Sequence, residues 1–305
     1  MRTIALFGPT GVGKTAVAVA VAERLRGEGE DPVAVSADAL QVYRGLETLT
    51  GVASAADQAA LEHRLVSFLP IDATFSVGQY AALAHAEIDA LLRAGRRPIV
   101  VGGTGLYLRA ALADLDLRPP PPDELRERWR SELAARGAPA LHALLLQRAP
   151  RVAAEIEPND SHRVVRALEL LDLGEPPEAV SGETPEGLSQ LWSEQLRHPT
   201  LLVGLTMERE ALYGSIDARV RAMVAAGARE EVLAAHAGGA SPTARKALGF
   251  DDLLASDVER MQRRTRNYAR RQLTWMRKLA GVRMIDVGAR APGDVAREIL
   301  DSAAR

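Results

Sequence analysis

The 305-residue chain contains no cysteine, which rules out disulfides and thiolate metal sites and agrees with a reducing, cytoplasmic setting. Lysine is almost missing as well: Lys14, Lys246 and Lys278 stand alone among many arginines. Aromatic residues make up only 4%. No apolar run approaches the roughly 18–20 residues that span a membrane, and no leader pattern precedes the first strand-like segment. The net charge of −2 excludes a general polycation, so any affinity for a polyanion must come from local clusters of charge. What the chain does have is 47% hydrophobic residues, enough for one large domain or two smaller ones.

The most specific segment is Gly8-Pro9-Thr10-Gly11-Val12-Gly13-Lys14-Thr15, a G-x-x-x-x-G-K-T run. It follows the apolar stretch Thr3 to Phe7 and leads into a helical pattern from Ala16 to Leu25. Strand, glycine loop and helix are the context of a phosphate-binding loop of nominal ATP type. Its backbone N–H groups and the helix N-terminus favour a diphosphate or triphosphate. Lys14 reaches the terminal oxygens, and the Thr15 hydroxyl is placed to ligate Mg²⁺. Lysine retained in so arginine-rich a background favours Lys14 as a working residue.

A second buried strand, Pro32 to Ser36, runs into Asp38. Ligands of open α/β sheets bind beyond the carboxyl ends of the strands, so Asp38 shares the edge of the phosphate loop. Its alternative role is to cap a following helix. Residues 44 to 75 read as loop and short helix, and His63 within them reads as structural. Gln79 to Arg93 is an amphipathic helix. A third strand, Pro98 to Val101, ends in Gly102-Gly103-Thr104-Gly105, where an ordinary P-loop NTPase often places a magnesium-binding aspartate. The glycines bring backbone close to a ligand, and Thr104 offers a hydroxyl.

Four prolines at 119–122 form a stiff connector into a charged helical region, Asp123 to Gly174, broken at Gly137 and Pro150. Arg163 and Arg166 within it share one helix face. Residues 175–187 read as an exposed loop, and strand character returns at Thr200 to Leu205. The expected architecture is a P-loop NTPase-like parallel sheet flanked by helices, residues 1–117 and 199–305, with an all-helical insertion at 118–198. Glu208 to Ala226 and Arg229 to His236 are further helices, and Arg219 lies on the first. Arg260 to Lys278 is a helix with eight basic and no acidic residues, interleaved with Tyr268 and Trp275. A polyanion would relieve the self-repulsion of such a helix. Val282 to Val287 reads as a last strand and Pro292 to Ala304 as a terminal helix.

With these segments in this order, the chain resembles the tRNA dimethylallyltransferase (tRNA isopentenyltransferase) family nearly end to end. The matching stretches are Gly8–Thr15, Ser36–Gly45, Pro98–Leu108, Asn159–Glu169, Arg209–Met223, Lys246–Leu253 and Thr265–Arg277. Arg97 to Tyr107 and Thr265 to Trp275 are the most specific. The resemblance implies transfer of a dimethylallyl group from dimethylallyl diphosphate to N6 of the adenosine 3′ of the anticodon, in tRNAs that read codons beginning with U. It implies that Asp38 accepts the proton of the attacking amine. Lys14, the loop from Gly8 and Thr10 through Gly11, Val12 and Gly13 to Thr15, and Arg219 would hold the diphosphate with Mg²⁺. Thr104 would lie between diphosphate and nucleotide. By the same resemblance, RNA contacts would come from Asp38, Ala39, Leu40, Gln41, Thr104 and Arg126. Others would come from His162, Arg163, Val164, Val165 and Arg166, and from Arg245, Lys246 and Gly249. The insertion would grip the anticodon stem, and the protein is expected to be a monomer.

The chain departs from the family pattern at Gly11-Val12, Ala39, Gly51, Ser215 and Phe250-Asp251-Asp252. Three rival readings use the same residues: prenyl transfer to a free adenine nucleotide, a small-molecule kinase, and an RNA-binding protein without chemistry.

Overall fold

The computed structural model describes residues 2–115, 117, 121–175, 177 and 195–303. The apolar segments form parallel strands because both of their faces are covered, which favours continuous β-rich runs over alternating ones. β1 (Thr3–Phe7) is buried along its whole length and is followed by α1 (Lys14–Gly27). β2 (Pro32–Ala37) is likewise fully buried. Two short helices, α2 (Glu47–Thr50) and α3 (Ala55–Ala60), then lead to β3 (His63–Arg64). This two-residue strand is not expected from the sequence. It pairs with Ala34 and Val35 of β2, and His63 Nδ1 lies 2.6 Å from the Leu61 carbonyl. Ser76 and Gln79 close a reciprocal capping box that starts α4 (Val77–Arg93). β4 (Arg97–Gly102) and α5 (Gly105–Leu112) complete the first segment.

Residues 115–195 form a compact unit of their own, and residues 1–114 with 196–305 form the other. The division falls three residues before each expected boundary. In the smaller unit, α6 (Asp123–Arg148) is two helical pieces, because Gly137 takes φ 76° and ψ 162° and Pro139 follows it. α7 (Pro150–Ala154) and α8 (Ser161–Asp172) pack onto it around Trp129, Leu141, Leu145, Ile156 and Leu168. The Trp129 indole N–H donates to Asp172 at 3.0 Å, and Arg148 pairs with the same carboxylate at 2.7 Å. Val164 belongs to this core and is fully buried, so its side chain holds α8 in place. His162 and Arg163 are exposed, whereas Val165 and Arg166 are half-buried. Pro119, Pro120 and most of the 175–187 loop lie outside the described residues.

The chain returns through β5 (Thr200–Thr206), α9 (Arg209–Ala225) and α10 (Ala228–Ala237). A 3₁₀ turn at Ala244–Lys246 precedes α11 (Phe250–Leu254), the arginine-rich α12 (Val258–Lys278), β6 (Arg283–Asp286) and α13 (Pro292–Ala303). The six-stranded sheet has the order β3-β2-β4-β1-β5-β6 with all pairs parallel. β4 lies between β1 and β2, so the connections leaving β1 and β4 diverge and open a crevice at their carboxyl ends. No helix among the described residues is long and apolar enough to cross a membrane.

The arginine-rich helix is less one-sided than its sequence. Asp252 of α11, fully buried, takes Arg264 at 3.0 Å and Arg260 at 3.2 Å. Asp217 of α9 takes Arg266 at 2.6 Å. Carboxylates distant in sequence thus neutralise part of the row. Arg270, Arg271 and Arg277 face outward and are exposed.

Candidate active site

Three connections meet at the crevice. The loop after β1 is drawn tight by the Lys14 ammonium, which donates to the Gly8 carbonyl at 2.9 Å and the Pro9 carbonyl at 3.0 Å. Gly11 and Gly13 have φ 83° and 90°, values that a side chain resists. Lys14 and Thr15 open α1, so their N–H groups sit at a helix N-terminus with no intrahelical acceptor. Two loop amides are already used. Val12 N–H donates to the Pro9 carbonyl at 3.3 Å, and Thr10 N–H donates to Gln272 Oε1 at 2.9 Å.

After β2, Asp38 accepts the Leu40 N–H at 2.9 Å. No helix begins there, since the next one starts at Glu47, so the capping alternative fails and the carboxylate serves a tight turn. Gln41 is spent internally. Its Oε1 accepts from Ser36 at 2.8 Å and its Nε2 donates to the Gly51 carbonyl at 3.0 Å. After β4, each glycine has a packing reason. A Cβ at Gly102 would press on the Ala37 carbonyl, one at Gly103 would collide with the Gln272 amide, and one at Gly105 would enter the Trp275 ring. Thr104 Oγ1 lies 3.1 Å from the Tyr268 hydroxyl.

The charged groups here are under-compensated. Burial lowers the Lys14 pKa to about 8, with Arg219 pushing the same way and Asp38 opposing. This holds although part of the lysine residue remains accessible. Burial raises the Asp38 pKa, against the Leu40 N–H, Lys14, the Gln41 N–H and Arg219. Arg219 is lowered by burial, and its Nε is buried with no hydrogen-bond partner among the described residues. Tyr268 is pushed up to about 12, first by burial and then by Asp38. The Tyr80 and Tyr107 rings, 4.7 Å apart, also feel the Asp38 charge. Two cations and one carboxylate in poorly solvated surroundings make a site that gains from a bound anion.

Two positions beside Arg219 shape its surroundings, Ser215 by holding the loop and Gly51 by leaving room for the guanidinium. Ser215, one turn earlier on α9, donates to the Gly11 carbonyl at 2.6 Å, while a Cβ at Gly11 would lie 2.9 Å from Ile216. Gly51 has φ 65°, and a Cβ there would collide with the Arg219 guanidinium. Gly51→Ala is expected to displace the guanidinium and weaken binding of inorganic diphosphate about tenfold. Titration calorimetry checks it, and wild-type affinity in that variant would remove Arg219 from the anion site.

Ala39 and Leu40 flank the Asp38 turn and are half-buried. Arg245 and Lys246 are exposed, and Arg245 pairs with Asp251 at 3.4 Å. Gly249 is buried at φ 96°, where a Cβ would strike Met261, so it forms the turn that opens α11. Arg126, on α6, pairs with Asp123 at 3.5 Å. Gln272, Tyr268 and Ser215 are the site members that sequence reasoning missed.

A parallel sheet with its switch point between β1 and β4, a glycine loop at a helix N-terminus and a carboxylate on the same edge define a P-loop NTPase-like α/β protein. The IPP transferase family profile matches residues 41–279, and a tRNA dimethylallyltransferase of Anaeromyxobacter dehalogenans (strain 2CP-C) is 44% identical over 92% of this chain and 94% of its own. The chain belongs to the IPP transferase family. The full-length tRNA isopentenylpyrophosphate transferase of Bacillus halodurans superposes with a TM-score of 0.70 at 30% identity, covering 99% of this chain and 95% of its own. A eukaryotic dimethylallyltransferase acting on tRNA shares the fold, with a TM-score of 0.74 at 23% identity over 100% of this chain and 77% of its own.

Proposed function

We propose that this protein transfers a dimethylallyl group from dimethylallyl diphosphate to N6 of the adenosine 3′ of the anticodon, in tRNAs that read codons beginning with U. The observation that carries the reading is the pairing of the Lys14 and Arg219 cations, short of anionic partners, with the half-buried and poorly solvated Asp38 carboxylate on one sheet edge. The relatives' activity supplies the donor and acceptor. In the reaction the bond between the prenyl C1 and the diphosphate oxygen breaks and a bond from adenine N6 to C1 forms. The N6 proton goes to Asp38, and the diphosphate leaves with the bonding pair. Lys14, Arg219 and the free loop amides stabilise the charge growing on the leaving oxygen. On this reading the Thr104 hydroxyl, 3.1 Å from that of Tyr268, would lie between the diphosphate and the nucleotide.

The Thr15 hydroxyl, in the first turn of α1 beside the phosphate loop, is an oxygen donor of the kind Mg²⁺ takes, an ion commonly held by one or two protein oxygens together with substrate phosphates. Thr15 would hold it, and the ion would neutralise charge on the leaving diphosphate. A reacting adenine must leave its stack, so the acceptor is gripped by its backbone and read by the flipped base. The exposed His162 and Arg163, Arg126, Arg245, Lys246 and the outward arginines of α12 supply the grip. The protein works as a cytoplasmic monomer.

The deciding assay combines the protein with labelled dimethylallyl diphosphate or ATP, and with unmodified tRNA or AMP. Label in tRNA is expected; prenylated AMP with inert tRNA, or phosphoryl transfer from ATP, would overturn the reading. Replacing Arg270 and Arg277 together by alanine is expected to weaken tRNA binding irrespective of sequence. The slope of log K against log salt should fall by roughly 0.7–0.9 for each phosphate that the variant leaves unneutralised. Filter binding across a salt series measures it, and an unchanged slope would take this face of α12 out of the interface.

A further inference from the structure

α12 has two faces. The outward face is cationic, and the inward face carries Tyr268 and Gln272, four residues apart and so one above the other. Gln272 is 5% exposed. An amide buried to that degree needs partners for both its oxygen and its nitrogen. Gln272 finds them on two different connections. Its Oε1 accepts the Thr10 N–H at 2.9 Å, and its Nε2 donates to the Gly103 carbonyl at 2.7 Å. A backbone N–H and a backbone carbonyl permit only this orientation of the amide. The hydroxyl of Tyr268, one helical turn before Gln272, lies 3.1 Å from the Thr104 hydroxyl. The β1–β4 ladder ends at the Phe7–Gly102 pair, so beyond it the phosphate loop and the Gly103–Thr104 turn lose their common backbone frame.

We propose that Gln272 is a positioning residue of the transfer site. Its amide ties the phosphate loop to the Gly103–Thr104 turn, sets the spacing between the leaving-group end and the acceptor end, and with Tyr268 orients the Thr104 hydroxyl. The proposal rests on the prenyl-transfer reading. A displacement needs C1 held between nucleophile and leaving oxygen at near-attack distance, and misplacement by an ångström costs about 10²-fold in rate. In this chain that spacing is carried by one side chain from a helix 262 residues away from Thr10 in sequence.

The test uses the full chain. Gln272→Met keeps length and bulk and removes both hydrogen bonds; it is expected to lower kcat about 10–100-fold with KM for tRNA unchanged. Hydrogen exchange of the peptide spanning residues 8–13 should quicken in the same variant, because the Thr10 N–H loses its acceptor. Tyr268→Phe should lower kcat less, and the double variant should be no slower than Gln272→Met, since coupled groups are not additive. Wild-type kcat in Gln272→Met overturns the positioning role, as does a double variant whose two effects multiply. A loss that follows thermal unfolding and disappears on cooling overturns it too, by reducing Gln272 to a folding residue. A wild-type protein that prenylates nothing overturns the parent reading and this proposal together, and so is distinguishable from each of those results.

Discussion

Asp38→Asn is expected to lower kcat for prenyl transfer by about 10²–10⁴-fold, the range of a positioned general base, and to leave tRNA binding intact. The asparagine oxygen can still accept the Leu40 N–H, so the turn survives and the loss reports chemistry rather than geometry. The pH dependence of the wild type provides an independent check. Burial raises the Asp38 pKa, with the Leu40 N–H, Lys14, the Gln41 N–H and Arg219 acting in the opposite direction. The base works ionised, so kcat/KM should fall as pH drops through that raised value, above the ordinary aspartate range of about 3.9. The same shift has a sign for stability. A carboxyl whose folded pKa is raised stabilises the fold when protonated, and that contribution is lost as pH rises through the folded value. At neutral pH the ionised group therefore costs stability, and Asp38→Asn should unfold at a higher temperature than the wild type. Single-turnover kinetics and a melting curve measure both halves. A variant with wild-type kcat, or an acid limb at or below the range of free aspartate, would sink the assignment of Asp38 as base.

How far the sequence reveals this site follows from how its parts are spaced. The phosphate loop is contiguous, so its glycines, Lys14 and Thr15 are visible as a motif, and the buried strands mark the sheet edge that carries Asp38 and Thr104. Contacts made by folding are not visible in the same way. The Ser215 bond to Gly11 spans 204 residues, and the Gln272 bond to Gly103 spans 169. Read in isolation, Ser215 and Gly51 are only departures from the family pattern; in space Ser215 fastens the loop, and Gly51 gives Arg219 room. The arginine-rich helix shows the converse. Its charge is plain in the sequence, while the carboxylates of Asp217 and Asp252 that offset part of it come from other helices. β3 is invisible in the sequence because two residues carry no periodicity. The packing roles of Val164 and Gly249 are likewise hidden in the sequence, where both sit in stretches that the family resemblance assigns to RNA contact.

Lys14→Met separates binding from stability most sharply. The variant is expected to lose about 10²–10³-fold in kcat/KM for the prenyl diphosphate, as when one preorganised donor to a developing oxyanion is removed. Yet it should melt at a higher temperature. The lysine pKa is lowered to about 8 chiefly by burial and then by Arg219, so its charged form is held in the fold at a cost. Between pH 8 and about 10.4, the ordinary value for lysine, the unfolded chain binds more protons than the folded one. Wild-type stability should therefore rise with pH across that window, and the variant should be flat there. Catalysis follows the opposite sign, because donor binding needs the ammonium. The basic limb of kcat/KM belongs to the free enzyme and should fall near pH 8. The limb of kcat should lie higher, since a bound diphosphate favours the charged lysine. Coincident limbs in the two profiles would mean that the diphosphate does not touch Lys14. A variant that is both inactive and less stable would mean that the lysine serves the loop's own carbonyls, Gly8 and Pro9, more than any ligand.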